Sequence, residues 1–329
     1  MKKHLRIPSI LGAAAIASAL LVPATTPATA QEYPNRAIRI LVNTGPGGLV
    51  DVTTRFVAEK MSQELGQSIV IENRAGGDGL VGALAAKAAP GDGYTLLATS
   101  ATIAIQPSVK ADPGYDLESD FVPVGSIMQY PLIIVEGAGE PDETLADFIT
   151  RAKEDPDQMT YASAGVGTVT HFAAAELLRD AGVDILHVPY KGNGPAMPDV
   201  MSGRVNMIFE AYSSGGAKIA DGTLKALAVT STERFPALPD VPTVAEQGYP
   251  DYSYYGYTGL LAPAGTPPEV VQRLSDALQI ALADEDIVKR FEDGGGEALP
   301  STPEEYGNRL IEDLGNMETL ARALDIPKK

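Results

Sequence analysis

The sequence predicts an α/β protein in which mainly parallel β-sheets are flanked by helices, arranged as two similar halves. Short apolar segments alternate with amphipathic segments of helical period along most of the chain, which is typical of parallel-sheet layers. A strand, a glycine-rich loop and a helix follow one another near the start of each half. The chain of 329 residues is also long enough for two domains that each bury a core.

The first half begins with an apolar strand, a loop and an amphipathic helix. Residues 38–42 are the predicted strand, and the helix covers about 51–65, with Val57 and Met61 on one apolar face. Gly66 is its predicted stop, because glycine readily adopts the left-handed conformation that ends helices. Further predicted elements of this half are strands at 68–71 and 94–98 and a helix at 81–89.

The second half is predicted to begin near Leu132 and to end in a helical C-terminal region. A helix near 145–152 and a strand at 159–163 precede a second glycine-rich loop, which opens a helix ending near Gly182. The remaining predicted strands are 185–189, 205–209 and 224–229, and the C-terminal helices are 267–283, 285–291 and 303–324.

The first thirty residues predict a cleaved export signal. Lys2, Lys3 and Arg6 precede the apolar run 10–22, and a small-residue stretch then ends at Ala30. A membrane anchor is the alternative, but a run of about thirteen residues is short for a bilayer. We therefore expect cleavage near Ala30 and a periplasmic location, and the absence of any cysteine excludes lipid attachment through that residue.

Composition excludes several classes of partner. The net charge is −18, and the predicted leader contains basic but no acidic residues, so the mature chain is more acidic still. This charge argues against binding to nucleic acid or to anionic membranes. Without cysteine there are no disulfides and no thiol chemistry, and no apolar run after the leader is long enough to span a membrane.

The first glycine-rich loop is a candidate anion site. It lies directly before a helix, where glycines allow close backbone approach and the first helical turn offers unpaired N–H groups. The alternative is a tight turn between strand and helix with no ligand. The candidate binding residues in this loop are Thr44, Gly45, Gly47 and Gly48.

The second glycine-rich loop offers the same main-chain donors together with hydroxyl groups. A hydroxyl can donate to a carboxylate oxygen or simply cap the helix, and both roles remain open. Two such loops that face each other across a cleft would hold both ends of a dicarboxylate. The candidate binding residues here are Ser163, Gly165, Gly167 and Thr168.

Asp51 stands in the first turn of the first predicted helix. It could bind an ammonium group or select against additional negative charge on the ligand. The pattern favours a structural role, in which Asp51 complements the helix dipole and pairs with Arg55 four residues later.

No arrangement of residues predicts catalysis, a cofactor or a metal. The segment 165–170 lacks the third glycine of a dinucleotide-binding loop, and Ser163 is flanked by alanines instead of the glycines of a nucleophile elbow. His171 lies one turn into a helix, and His187 lies in an apolar strand, where a core histidine is the commoner outcome. Neither loop ends as a Walker loop does, and no histidine pair has metal-ligand spacing.

A series of short motifs runs along the chain: YPNRAIRI at 33–40, PGG and Asp51 at 46–51, LGQ at 65–67, VIENR at 70–74, GDGYTL at 91–96, YASAG at 161–165, HVPYKG at 187–192, LPDVPT at 238–243 and APAGTP at 262–267. In these motifs the chain resembles the receptors of tripartite tricarboxylate transporters, also called Bug-type receptors. The resemblance extends over essentially all of the predicted mature chain.

This resemblance implies a periplasmic binding protein fold of type II, with two lobes and a ligand between them. It implies one lobe of residues 33–131 plus 256–329, a second lobe of residues 132–255, and a hinge near 128–131 and 254–259. Members of the family bind small carboxylates, including dicarboxylates, tricarboxylates, acidic amino acids and aromatic acids, through the two glycine loops. They deliver these ligands to a membrane permease of two subunits.

Two departures from the family pattern leave the ligand open. Asn43-Thr44-Gly45 is smaller and more polar than the usual residues before the first glycine pair, and Tyr257 replaces a common tryptophan near the hinge. We add Ser100, Tyr190 and Tyr212 as candidate ligand contacts, although either tyrosine could instead pack within its lobe. We expect a monomer that acts as a transport receptor. A receptor for a membrane sensor, or more remotely a secreted hydrolase, remains an alternative.

Overall fold

In the computed structural model, Met1 and residues 33–328 are described, so the predicted export signal lies almost entirely outside the described residues. The strands are β1 (Ile38–Val42), β2 (Ile69–Asn73), β3 (Thr95–Ser100), β4 (Phe121–Gly137), β5 (Thr160–Ser163), β6 (Leu186–Pro189), β7 (Met207–Ala211), β8 (Leu224–Val229), β9 (Tyr255–Pro263) and β10 (Glu297–Ala298). The helices are α1 (Leu49–Leu65), α2 (Leu80–Lys87), α3 (Thr102–Val109), α4 (Leu117–Asp120), α5 (Leu145–Glu154), α6 (Val169–Ala181), α7 (Asn193–Met201), α8 (Tyr212–Ala220), α9 (Pro268–Leu282), α10 (Glu285–Asp293) and α11 (Pro303–Ala323).

Local sequence signals set most helix ends where we expected them. Gly66 follows α1 with a φ of 65°, and Gly182 follows α6 with a φ of 66°, so both helices end at left-handed glycines. The start of α11 has a capping box, in which the side chains of Thr302 and Glu305 bond reciprocally to each other's main-chain N–H groups. Among the described residues, no helix has the length and apolar character needed to cross a membrane.

The strands form a continuous sheet in the order β2-β1-β3-β9-β4-β7-β5-β6, with β8 and β10 also paired to β4. Pairing is parallel near both ends, where β1 lies between β2 and β3 and β5 lies between β6 and β7. The central pairs, β3 with β9, β9 with β4, and β4 with β7, are antiparallel. Each half therefore contributes a parallel portion, and the two portions are joined through antiparallel strands.

The 17-residue strand β4 belongs to both halves of the sheet. Residues from Phe121 to Pro131 pair with β9, and residues from Leu132 to Gly137 pair with β7 and β8. The two segments expected to form a hinge are direct neighbours, since Met128 is opposite Thr258 and Pro131 is opposite Tyr255. From Tyr33 onward the chain forms one compact unit, and its division into the two lobes named above stays a prediction.

Helix α3 was not predicted from the sequence. Pro107 lies inside it, and six of its eight residues are buried, so it has no amphipathic pattern. It packs in the largest core cluster together with residues of α6 and α11, including Phe172 and Leu320. A helix that is surrounded by protein on nearly all sides lacks the polar face by which sequence periodicity is recognised.

Candidate functional site

A cavity of about 570 Å3 lies between the loop that precedes α1 and the loop that precedes α6. It combines main-chain groups and hydroxyls with apolar side chains and two residues that carry charge. The lining includes Gly47, Gly48, Leu49, Val52, Thr53 and Phe56 from the first loop and α1, Ala164 and Thr170 from the second loop and α6, Asn193 and Glu210 from α7 and β7, Ser213 and Ser214 from α8, and Arg290 and Phe291 from α10.

The first loop places Gly47 and Gly48 in the cavity wall, directly before α1. Gly47 has a φ of +78°, which favours glycine, and a Cβ added there would meet no atom within 4 Å. Its N–H donates to Oδ2 of Asp51 at 2.9 Å. Among the described residues no side chain caps the start of α1, so the N–H groups of its first turn are the donors that remain for an anion.

Asp51 is buried and holds this loop in place. Its carboxylate accepts hydrogen bonds from Arg55 Nε at 3.0 Å, from Asn73 Nδ2 at 2.9 Å and from the Gly47 N–H. Burial works against ionisation, but the hydrogen bonds from Arg55, Gly47 and Asn73 lower the pKa of Asp51 overall. The pairing of Asp51 with Arg55 is the structural role that the sequence favoured. The Asp51 carboxylate also accepts from the Gly47 N–H, one of the loop amides that we expected to face the ligand.

The second loop packs against α3, and its residues have mainly structural contacts. Thr168 caps α6, since its hydroxyl accepts from the His171 N–H at 3.4 Å and donates to the Gly165 carbonyl at 2.8 Å. The Gly167 carbonyl accepts from Gln106 Nε2 at 3.1 Å, and a Cβ on Gly167 would lie 2.3 Å from a methyl of Val109. The residues of this region that line the cavity are Ala164 and Thr170.

Ser163 lies beneath the second loop and contacts a pair of stacked histidines. The Ser163 hydroxyl is 2.7 Å from His187 Nε2, and the His187 and His171 rings stack with centroids 4.1 Å apart. The Ser163 side chain has no exposed surface, so this serine and histidine do not form an accessible nucleophile and base. Burial lowers the pKa of His171 to about 4, and burial together with the charge of His171 lowers the pKa of His187 to about 3.

We expect these histidines to make stability depend on pH between 7 and 5. The unfolded chain takes up protons at His171 and His187 below about pH 6.5, whereas the folded protein keeps both rings neutral, so stability is lost as pH falls. The expected loss by pH 5 is roughly 2 kcal/mol for each histidine. Urea unfolding at pH 7.5 and 5.0 measures it, and replacing both histidines by glutamine should flatten the difference. An equal pH dependence in both proteins would contradict the assignment.

The other candidate contacts are not among the lining residues of the cavity. The Tyr190 hydroxyl donates to Asp199 at 2.6 Å, and the Tyr212 ring packs on Phe235 with centroids 5.2 Å apart. Tyr190 thus bonds within the second half of the chain, whereas Tyr212 also lies against Gly295, and the role of either tyrosine as a ligand contact stays a prediction. The Thr44 carbonyl accepts from the amide of Asn73 at 3.1 Å, Ser100 accepts from the Thr102 N–H at 3.4 Å, and Gly45 accepts from the Gly48 N–H at 3.3 Å.

Sequence reasoning missed several residues of the cavity wall, of which Glu210 and Arg290 are charged. Glu210 lies at the carboxyl end of β7, at the same sheet edge as the loop after β5, and this placement could have identified it. Arg290 lies on α10 with its guanidinium 4.8 Å from the centre of the Phe56 ring. No local signal indicated it, because α10 reaches the cavity only through the packing of the C-terminal helices.

One acidic cluster in the described part of the chain has the geometry of a metal site, but a guanidinium already lies within it. Oxygens of Glu136, Glu140 and Asp142 lie within 4.8 Å of one another. Arg151 Nη2 contacts all three carboxylates, at 3.7, 2.7 and 2.5 Å respectively. The cluster lies outside the cavity, and we interpret it as a buried network of ion pairs.

Comparison with known proteins assigns the family. A family model described as the tripartite tricarboxylate transporter family receptor matches residues 53–324. The chain is 36% identical over 307 residues to a UPF0065 protein from the tcbD-tcbE intergenic region of Pseudomonas sp. (strain P51), covering 93% of this chain and 90% of that protein. It is 33% identical over 290 residues to the protein BugT of Bordetella pertussis (strain Tohama I), covering 88% of this chain and 89% of BugT.

Solved structures agree with this family and with the predicted fold class. The periplasmic binding protein BugD superposes with a TM-score of 0.81 and 32% identity, covering 90% of this chain and all of BugD. An R. palustris protein solved with adipate superposes with a TM-score of 0.83 and 29% identity, covering 90% of this chain and all of that protein. MatC from Rhodopseudomonas palustris, solved with bound malate, superposes with a TM-score of 0.78 and 29% identity, covering 88% of this chain and 99% of MatC.

These similarities confirm the α/β fold of periplasmic binding proteins. They also confirm that the chain is a binding protein and not an enzyme, since the family consists of solute receptors. The family match covers most of the chain, and the two relatives exceed 30% identity over nearly their full lengths. The chain belongs to the tripartite tricarboxylate transporter receptor family.

Proposed function

We propose that this protein is a periplasmic receptor that binds a small organic carboxylate in the cavity between its two halves and delivers it to a two-subunit membrane permease. The observation that carries this proposal is the cavity itself, which brings together the uncapped start of α1 and the second glycine loop. A helix start is a favourable position for an anion, because its N–H groups lack partners and the helix dipole is positive there.

The chemistry of the lining matches a carboxylate with an apolar body. Hydroxyls of Thr53, Thr170 and Ser213 provide polar contacts, and Leu49 and Phe56 provide apolar surface. Arg290 adds a positive charge to the same wall, so the charge of the ligand is not balanced by main-chain donors alone. This modifies the mechanism expected from the sequence, in which no basic side chain was needed.

The relatives support the same class of ligand. One R. palustris protein was solved with adipate and MatC with malate, and both cover nearly the whole of this chain. We propose lobes of residues 33–131 plus 256–329 and of residues 132–255, with a hinge near 128–131 and 254–259, where β4 pairs with β9. Ligand would shift the population towards a closed state that removes the carboxylate from water.

Calorimetry and thermal unfolding of the mature protein test the proposal. The panel should contain linear dicarboxylates of increasing length, their hydroxy and amino derivatives, citrate and an aromatic acid. At least one is expected to bind in a saturable manner and to raise the melting temperature, because a ligand that binds the native state alone stabilises it. Matched amides of the same acids serve as controls, and binding of the amides as tightly as the acids would refute carboxylate recognition.

A further inference from the structure

Glu210 places a buried carboxylate in the wall of the ligand cavity. Its side chain is 3% exposed, and it lines the cavity near the carboxyl end of β7. The N–H of Ala211 donates to its Oε1 at 2.9 Å, and the Ser214 hydroxyl on α8 donates to the same oxygen. The side chain is therefore held in one position by the start of α8.

In the part of the chain that the structure describes, this carboxylate has no cationic side chain in ion-pair contact. Among the described residues, no lysine, arginine or histidine lies within 4.0 Å of it. A carboxylate can accept about four hydrogen bonds, and those from Ala211 and Ser214 both end on Oε1. Burial raises the pKa of Glu210, while hydrogen bonds from Ser214, Ala211 and Asn193 and the charge of Lys218 act in the opposite direction. An unpaired acid in a cavity for an anion repels its own ligand unless the ligand carries a matching group.

Asn193 provides a second acceptor on the same wall. Its Nδ2 donates to the Phe209 carbonyl at 2.9 Å, which fixes the direction of the amide. Its Oδ1 is buried and has no hydrogen-bond partner within the described part of the chain. A buried acceptor without a partner is costly, and a donor supplied by a ligand would remove that cost.

The cavity thus has acceptors on the wall formed by β7 and α7 and positive groups elsewhere. The start of α1 and Arg290 favour a negative group on the ligand. Glu210 and Asn193 favour a hydrogen-bond donor on it. A ligand that matches both sets carries a carboxylate and, on the same small body, an ammonium or hydroxyl group.

We propose that Glu210 determines specificity by binding a donor substituent, ammonium or hydroxyl, so that the cargo is an amino or hydroxy carboxylic acid. This inference rests on the proposed carboxylate-binding function. Discrimination of this kind is strong, because a ligand that lacks the donor leaves buried acceptors of the protein unpaired.

Matched ligand series test the inference in the wild-type protein. Succinate, malate and aspartate share one chain length, and glutarate, 2-hydroxyglutarate and glutamate share the next. In the series that binds, we expect the hydroxy or amino acid to bind at least about 10-fold more tightly than the unsubstituted acid, by calorimetry. Equal or tighter binding of the unsubstituted acid would overturn the role of Glu210 while leaving the proposed function intact. If no carboxylate of any kind bound, the proposed function itself would fail.

Glu210→Gln removes the charge and keeps an oxygen that can accept from Ala211 and Ser214. The expected result is a loss of about 10-fold or more in the preference for the ammonium acid over the unsubstituted acid. Binding of the unsubstituted acid should become tighter, since the repulsion is gone. The hydroxy acid should lose less than the amino acid, which distinguishes the two donors. A folded variant that keeps the wild-type preference for the ammonium acid over the unsubstituted acid would overturn the inference. If the variant does not fold, the ligand series with the wild-type protein decides the role of Glu210.

Discussion

Gly47→Asp is expected to weaken carboxylate binding by about 100-fold or more while the protein remains folded. Gly47 lines the cavity beside the start of α1, and a Cβ at this position meets no atom within 4 Å. The new carboxylate would therefore enter the space proposed for that of the ligand. The positive φ of Gly47 adds a strain of roughly 1–2 kcal/mol, which a protein of this size tolerates. Calorimetry with the best ligand of the panel measures the effect.

Gly222→Asp is the matched control for this variant. Gly222 has a φ of +76°, nearly that of Gly47, and a Cβ there also meets no atom within 4 Å. It lies between α8 and β8 and is not among the residues that line the cavity. Both variants should lose similar stability, and Gly222→Asp should bind as the wild type does. Wild-type affinity in Gly47→Asp would show that the first loop does not contact the ligand.

Arg151→Met is expected to lower the free energy of unfolding by roughly 3–5 kcal/mol. The Arg151 guanidinium contacts Glu136, which has no exposed surface, and Asp142, which is 4% exposed. Burial, and then the charge of Asp142, raises the pKa of Glu136, so this carboxyl already resists ionisation. Lys225 Nζ, 3.5 Å from Glu136, remains beside that residue, but removing the guanidinium leaves the buried Asp142 carboxylate without its ion-pair partner. Urea unfolding at pH 7.5 measures the loss.

Arg179→Met provides the control, because Arg179 pairs with Asp180 on the exposed surface of α6. Its loss should cost less than about 1 kcal/mol. An equal loss of stability in Arg151→Met and Arg179→Met would contradict the role of the Arg151 ion pairs.

The sequence predicted most elements of the fold because their signals are local. β1 and β8 have the predicted bounds, and α1, α6 and α11 end within a residue or two of the expected positions. The exceptions include α3, which is buried on nearly all sides, and β4, which runs continuously from Phe121 although the second half was expected to begin near Leu132. The elements α4, β9 and β10 were not predicted either. For α3 and β4, tertiary contacts, not periodicity, define the element.

The sequence by itself determined the family, the α/β class and the two glycine loops, because turns, helix starts and apolar periodicity depend on neighbouring residues. Only the tertiary structure decided which groups line the cavity. Asp51 accepts from the Gly47 N–H, and the second loop packs on α3, so fewer loop groups line the cavity than the motifs suggested. Glu210 and Arg290 line the cavity from elements that are distant in sequence, and no local sequence pattern predicts that they lie close together.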